Sequence, residues 1–245
     1  MIIGVQNLST LVAGDDAYNM TLLVDKQLRE DAAPAWGLLP PSVIFLGNGA
    51  PAHRFDAIIG ILDDADQAGD LGWHTEGPDA DVYGRVFARP VLDNGGNALT
   101  DSLSVCSVLS HECLETLLDP ACDLWAQSAS GTLYARELGD PVESYSYIKT
   151  ITPKHGTKVP GVPEVVSGTV SDFVLPAWFD PNAAPGKTDF MGMVSAPFQV
   201  APTGYVIYMS GGAVGQQWGD LYPEWRKATK QHPTARTERR LVRGR

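Results

Sequence analysis

No stretch of this chain approaches eighteen consecutive apolar residues, so no helical membrane span is expected. Charged residues are scarce, at 19%, whereas there are 25 glycines and 18 prolines. That composition argues for a loop-rich globular protein with many short strands and against a helical bundle or a disordered chain. Met1–Gln6 lacks a basic n-region followed by a long apolar run, so no signal peptide is expected. Cysteine is limited to Cys106, Cys113 and Cys122. If 103–118 is helical, Cys106 and Cys113 lie about 10 Å apart along its axis, too far for a disulfide. The spacing matches no common zinc-thiolate pattern, so free thiols near a core are expected. Gly-x-Ser-x-Gly is absent, which removes support for serine hydrolase chemistry. Gly211-Gly212 lacks the Lys-Ser/Thr of a phosphate loop. Asp63, Asp64 and Asp66 lack the Gly and Glu positions of an EF-hand and are read as capping a strand end.

The 245 residues, 44% of them hydrophobic, suffice for one large domain or two small ones with a sizeable core. The net charge of −11 is unevenly spread. Residues 224–245 hold eight Lys or Arg against two Glu, a net +6, which leaves −17 on residues 1–223. The acidic body repels nucleic acid and anionic membranes, and the basic tail suits an acidic partner.

Hydrophobic patterning divides the chain. Residues 1–6 read as a strand. Residues 16–32 carry Ala17, Met20, Leu23, Val24 and Leu28 at helical spacing, ending before Pro34. Ser42–Leu46 reads as a strand ended by Gly47-Asn48-Gly49, and the apolar run within Phe55–Leu62 as a buried central strand. Val82–Leu92 alternates, and Pro90 assigns it to a sheet edge. A helix is expected from Asp101, as N-cap, to Leu118, stopped by Asp119-Pro120. Short strands follow at Thr132–Leu138, Tyr145–Ile151, Val165–Leu175, Phe198–Ala201 and Tyr205–Met209, with a loop over Pro153–Pro163. The order indicates an α+β fold: an α/β region over 1–150, a β-rich region over 151–223 packed on it, and a basic tail over 224–245.

The chemistry concentrates at Ser110-His111-Glu112-Cys113-Leu114-Glu115, continuing to Asp119-Pro120. At 3.6 residues per turn, His111 and Glu115 share one helical face. An imidazole and a carboxylate so placed can hold one zinc ion, with Glu112 beside them as a general base. The zinc-protease motif H-E-x-x-H has histidine where this chain has Glu115. A catalytic zinc usually takes three protein ligands. The candidates for the third are Glu137, Asp140, Glu143 and Asp119. The helix is apolar nearly all round, which implies burial, and buried His and Glu need partners. A metal is one such partner, and charged hydrogen bonds to Arg136 are another. His74 reads as a loop residue, and His53, His155 and His232 as surface.

The helix from Ser110 to Pro120, Trp125 and then Glu137-Leu138-Gly139-Asp140 resemble zincin-like proteins of the phosphate-induced or exordium-like type, over roughly residues 82–143. The resemblance implies a zincin-like mixed sheet with an active-site helix and an edge strand that binds substrate, bordering the Glu112 cleft through Arg85 to Arg89. It also implies zinc held by His111 and Glu115, Asp140 or else Glu137 as third ligand, and Glu112 as catalytic base acting on a peptide or protein substrate. Leu175–Pro181 and Tyr222–Lys227 make the whole chain similar to proteins encoded by actinobacterial phages. That likeness implies no activity, and with the basic tail and loop-rich surface it suits a second reading: a virion component, capsid- or tail-associated, with a zincin-like fold and no catalysis, with other phage structural proteins as partners and the virion or host cytoplasm as its location.

Overall fold

The computed structural model describes residues 1–46, 54–66, 70–153 and 164–229. Gly47–Gly49, His53, His155, His232, the tail from residue 230 and most of the Pro153–Pro163 loop lie outside the described residues. The fold is mixed α+β. Strands β1 (Ile2–Asn7), β2 (Ser42–Leu46), β3 (Ala57–Leu62), β4 (Gly72–Glu76) and β5 (Val82–Phe87) form a five-stranded sheet in the order β2-β1-β3-β5-β4. The pairs β1–β2, β1–β3 and β3–β5 are parallel, and β4 closes one edge antiparallel to β5. The apolar run therefore does occupy the central strand. Its Ala57, Ile59 and Ile61 are buried and its Ile58 and Leu62 are half-buried, so one face carries most of the core.

The expected edge strand is corrected. β5 lies inside the sheet, and β4 is the edge. Pro90 does not conflict with an interior strand, because the strand ends at Phe87 and Pro90 belongs to helix α3 (Ala88–Asp93). Within the first turn of a helix, a missing N–H costs no hydrogen bond. Unlike a hydrophobic strand, β4 reads Gly-Trp-His-Thr-Glu, and its pairing with β5 rather than its composition makes it a strand.

The first helical segment also runs further than its sequence pattern suggests. Helix α1 (Gly14–Gln27) continues through a π-turn (Leu28–Ala32) into helix α2 (Ala33–Trp36). In an unbroken α-helix the Pro34 ring would strike the carbonyl four residues earlier, and the wider π-turn relieves that clash. Gly37, at φ 63°, then ends the helix in the left-handed region.

Helix α4 (Val105–Leu118) carries the His-Glu motif. Its N-cap is Ser104, not Asp101. The Ser104 hydroxyl accepts the Ser107 backbone N–H at 3.0 Å, and the Ser107 hydroxyl accepts that of Ser104 at 3.1 Å. This reciprocal cap satisfies two donors that a helix start otherwise leaves open. Asp101 instead has φ 73° and accepts a hydrogen bond from Asn97.

Helices α1 and α4 pack on each other and on the large sheet. A hairpin of β8 (Ser146–Ile151) and β9 (Val166–Ser171) covers both, so every residue of α4 from Val105 to Thr116 is buried. The hairpin pairs residues on both sides of position 150, which binds the expected 1–150 and 151–223 regions through a shared ladder. The remaining strands, β6 (Trp125–Gln127), β7 (Leu133–Ala135), β10 (Tyr205–Ser210) and β11 (Ala213–Trp218), form a second, four-stranded sheet. It lies on a smaller core around Trp178, Val142, Val174 and Val206. Residues 198–201 form no strand. Phe198 adopts φ 56° and stacks against Tyr134 and Trp178. Among the described residues, no helix is long and apolar enough to cross a membrane.

A buried carboxyl pair ties down the loop after the hairpin. Both Asp172 and Asp189 are fully buried. Asp189 accepts backbone N–H bonds from Gly192, Met193 and Val194, and Asp172 accepts those of Phe173 and Met191. Burial, followed by the hydrogen bond to Asp189 and its charge, pushes Asp172 up to about 8. An unfolded aspartate ionises near pH 3.9. Between about 4 and about 8 the folded form therefore holds a proton that the unfolded form has released. The stability from this group is fully present below about pH 4, falls as pH rises through that window, and levels off above it. Asp172→Asn keeps one acceptor oxygen and gains permanent N–H donors for Asp189. The variant is expected to match wild-type melting near pH 4 and to melt several degrees higher at pH 8. Thermal unfolding across that range checks this, and parallel curves for the two proteins would contradict it.

Candidate metal centre

The cap and the packing of α4 fix its side-chain directions, and the motif residues project where the sheet and the chain after the helix converge. His111 Nε2 lies 3.1 Å from Glu115 Oε1, one turn along the helix, and 3.2 Å from Asp140 Oδ1. All three residues are buried. An imidazole nitrogen carries one proton at most and cannot aim it well at two carboxylates at once. The two separations instead resemble the edge of a tetrahedron, about 3.3 Å, around an ion with bonds of about 2.0–2.1 Å. One nitrogen and two carboxylate oxygens also form a donor set suited to a divalent cation. The residues present fit a metal ion.

Asp140 reaches the helix because its segment is held at both ends. The carbonyl of Leu138 accepts from Val174 N–H at 2.9 Å, and that of Pro141 accepts from Ala201 N–H at 2.8 Å. Gly139 between them is packed against the imidazole. A Cβ there would overlap His111 Nδ1 and Cε1, so only glycine lets the ring and Asp140 occupy their places together.

The other candidates separate clearly. Glu137 lies with Glu115 and His74 in a second cluster of donors, all within 4.8 Å of one another. Glu143 forms a buried ion pair with Arg226. The carboxylate of Asp119 accepts the Asp123 and Leu124 backbone N–H groups at 2.9 and 3.1 Å, which closes the chain after α4. Arg136, considered as a charged partner for the motif, stacks its guanidinium over Trp36 and Phe179.

Glu112 lines a cavity of about 230 Å³ together with His111. Gly72, at the start of β4, touches it. A Cβ on Gly72 would come within 2.8 Å of Glu112 Oε1, so this glycine leaves the carboxylate its space. Tyr205, Trp225 and Arg226 supply further wall. Arg85 and Arg89 do not line it, contrary to expectation. Arg85 pairs with Asp66 at 2.5 Å and stacks on Trp73, and Arg89 pairs with Asp64. Asp63 is held by the Ser9 hydroxyl and by Thr10, so these acids tie down the strand end as read.

Helix α5 (Glu224–Thr229) brings the start of the basic tail into the body. Arg226 is 4% exposed on Glu143. Trp225 and Arg226 are thus part of the cavity wall rather than of a detached tail.

The sequence reading missed His74 as a site residue. It is fully buried on β4, with Nδ1 3.4 Å from Glu112 Oε2 and 3.7 Å from Glu115 Oε2. Nothing in a Gly-Trp-His-Thr-Glu stretch marks a buried strand, so pairing alone reveals it. Electrostatically, burial pulls the His111 imidazole down, but the Glu115 charge and hydrogen bonds to Asp140 and Glu115 outweigh it. Its pKa stands well above the ordinary imidazole value. All three cysteines are buried and free. Burial pushes the Cys106 and Cys113 thiols up, so neither offers a thiolate.

Comparison of the chain with family models, with curated proteins and with solved structures finds no match.

Gly139→Ala isolates the geometry from the ligands. The variant keeps all three donors but forces the His111 ring or the Asp140 segment to shift. Affinity for Zn²⁺ is expected to fall of the order of ten- to hundred-fold, the range seen when the support of a metal ligand is lost. Competition with a chromophoric chelator measures it, and unchanged affinity would show that ring packing does not set the site.

Proposed function

We propose that the chain is a zinc-dependent peptidase of zincin type. The observation that carries this reading is the His111–Glu115–Asp140 triangle with Glu112 beside it on the cavity wall. His111, Glu115 and Asp140 would hold the ion, and zinc, when bound, supplies Lewis acidity toward a carbonyl. The remaining work falls to this chain's own groups. The Glu112 carboxylate, on the cavity wall, would take a proton from an attacking water and pass it to the leaving amine.

Edge strand β4 supports a peptide as substrate. It begins at the Gly72 contact with Glu112, and β5 occupies one side of its backbone. An extended peptide recognised by strand addition would pair along such an edge and run past Glu112. A mixed sheet whose antiparallel edge strand packs on the motif helix is an arrangement that a zincin-like reading can use. Two carboxylate ligands offset more of the ion's charge than two imidazoles would, so modest turnover is expected.

Glu112→Gln tests base against ligand. The variant is expected to keep its zinc and to lose cleavage by about a hundred-fold or more, the contribution typical of general-base catalysis. His111→Ala should lose the ion held by His111, Glu115 and Asp140, and cleavage with it. Cleavage unchanged in Glu112→Gln would overturn this mechanism. Absence of cleavage by zinc-loaded wild type across a broad peptide library would overturn the peptidase reading itself.

A further inference from the structure

We infer that His74, Glu115 and Glu137 form a second, inner divalent-cation position that shares Glu115 with the site around His111. The inference rests on the outer site of the proposed peptidase, because the shared carboxylate belongs to both.

The hydrogen bonding of His74 is the starting observation, independent of the acids around it. Its Nε2 lies 2.9 Å from the backbone carbonyl of Asp119, at the C-cap of α4. A carbonyl oxygen can only accept, so Nε2 carries the proton. Nδ1 then faces the carboxylates of Glu112 and Glu115, the position in which an ion would replace any proton it carries. A metal-ligating histidine is held in the same manner, one nitrogen donating to a backbone carbonyl or carboxylate and the other facing the ion. The Cys122 sulfur sits 3.1 Å from Nε2, on the side away from the acids, and does not compete for that position.

Glu115 supplies the second observation. Its Oε1 faces His111 Nε2 at 3.1 Å, while its Oε2 faces His74 Nδ1 at 3.7 Å. The two oxygens of one carboxylate thus address two imidazoles, the disposition of a bridging ligand. Two-metal sites place their ions about 3.5–4 Å apart, a span one carboxylate can bridge. Glu137 completes the inner set, within 4.8 Å of the other two donors and 1% exposed.

Position distinguishes the two sites. His111 borders the cavity, whereas His74, Glu115 and Glu137 lie behind that wall. The donors are one imidazole and carboxylate oxygens, without thiolate, which selects a borderline or hard divalent cation such as Zn²⁺, Co²⁺ or Mn²⁺.

The test is zinc stoichiometry on the full chain, stripped with chelator and equilibrated with Zn²⁺ alone, read by elemental analysis after dialysis. Wild type is expected to retain two ions per chain. His74→Asn and Glu137→Gln should each retain one, and His111→Asn should also retain one. If wild type retains a single ion that only His111→Asn removes, the inner position is overturned and the outer site stands. A single ion removed by both histidine variants would mean one ion held between them, which also overturns the inference. No ion in wild type would overturn both this inference and the peptidase reading. Circular dichroism checks that each variant folds. Should His74→Asn fail to fold, the wild-type count and Glu137→Gln decide the question.

Discussion

A carboxylate taken out of water costs several kcal/mol unless a partner replaces its hydration. Helix α4 takes two out of water, Glu112 and Glu115, and sets His111 beside them. That burial is the constraint around which the structure is arranged. A helix this enclosed needs cover on every side, and the large sheet, α1 and the β8–β9 hairpin provide it. Its polar groups need counterparts, and the 137–143 segment and β4 bring Asp140, Glu137 and His74. Its side chains need room, and Gly72 and Gly139 leave it at the two closest approaches.

The cavity wall shows how the chain distributes charge. Residues 224–245 carry a net +6 over a body of −17, which by composition reads as a free tail. Arg226 is instead buried against Glu143 beside the cavity, so the first turn of that segment belongs to the site. Burial pulls the guanidinium down, and the Glu143 charge more than restores it, so the ion pair persists in the interior. A similar economy of buried acids appears at Asp172 and Asp189, where five backbone N–H groups and one retained proton order the loop after β9.

Where the sequence reading and the structure part, the cause is usually pairing at a distance. Pro90 suggested an edge strand, but it lies in the first turn of a helix, and the interior position of β5 depends on β4 pairing along its outer side. Asp101 had the right chemistry for an N-cap. Ser104 takes the role because its backbone is extended directly before the first helical turn, while Asp101 sits at φ 73°. Pro34 looked like a helix stop, yet a π-turn carries the chain past it. His74 was read as a loop residue because strand β4 has almost no hydrophobic pattern.

By itself the sequence determined the α+β class, the central apolar strand, the buried helix and the one-turn spacing of His111 and Glu115. These follow from periodicity and local geometry, which act over a few residues. It narrowed the further acid to a short stretch after the helix but could not choose within it. Only the tertiary structure decided that Asp140 meets His111, that Glu143 turns to Arg226, that Glu137 turns to His74, and that β4 delivers His74 at all. Those outcomes depend on where separate segments come to rest against one another, and no local pattern encodes the direction in which a carboxylate on an irregular segment points.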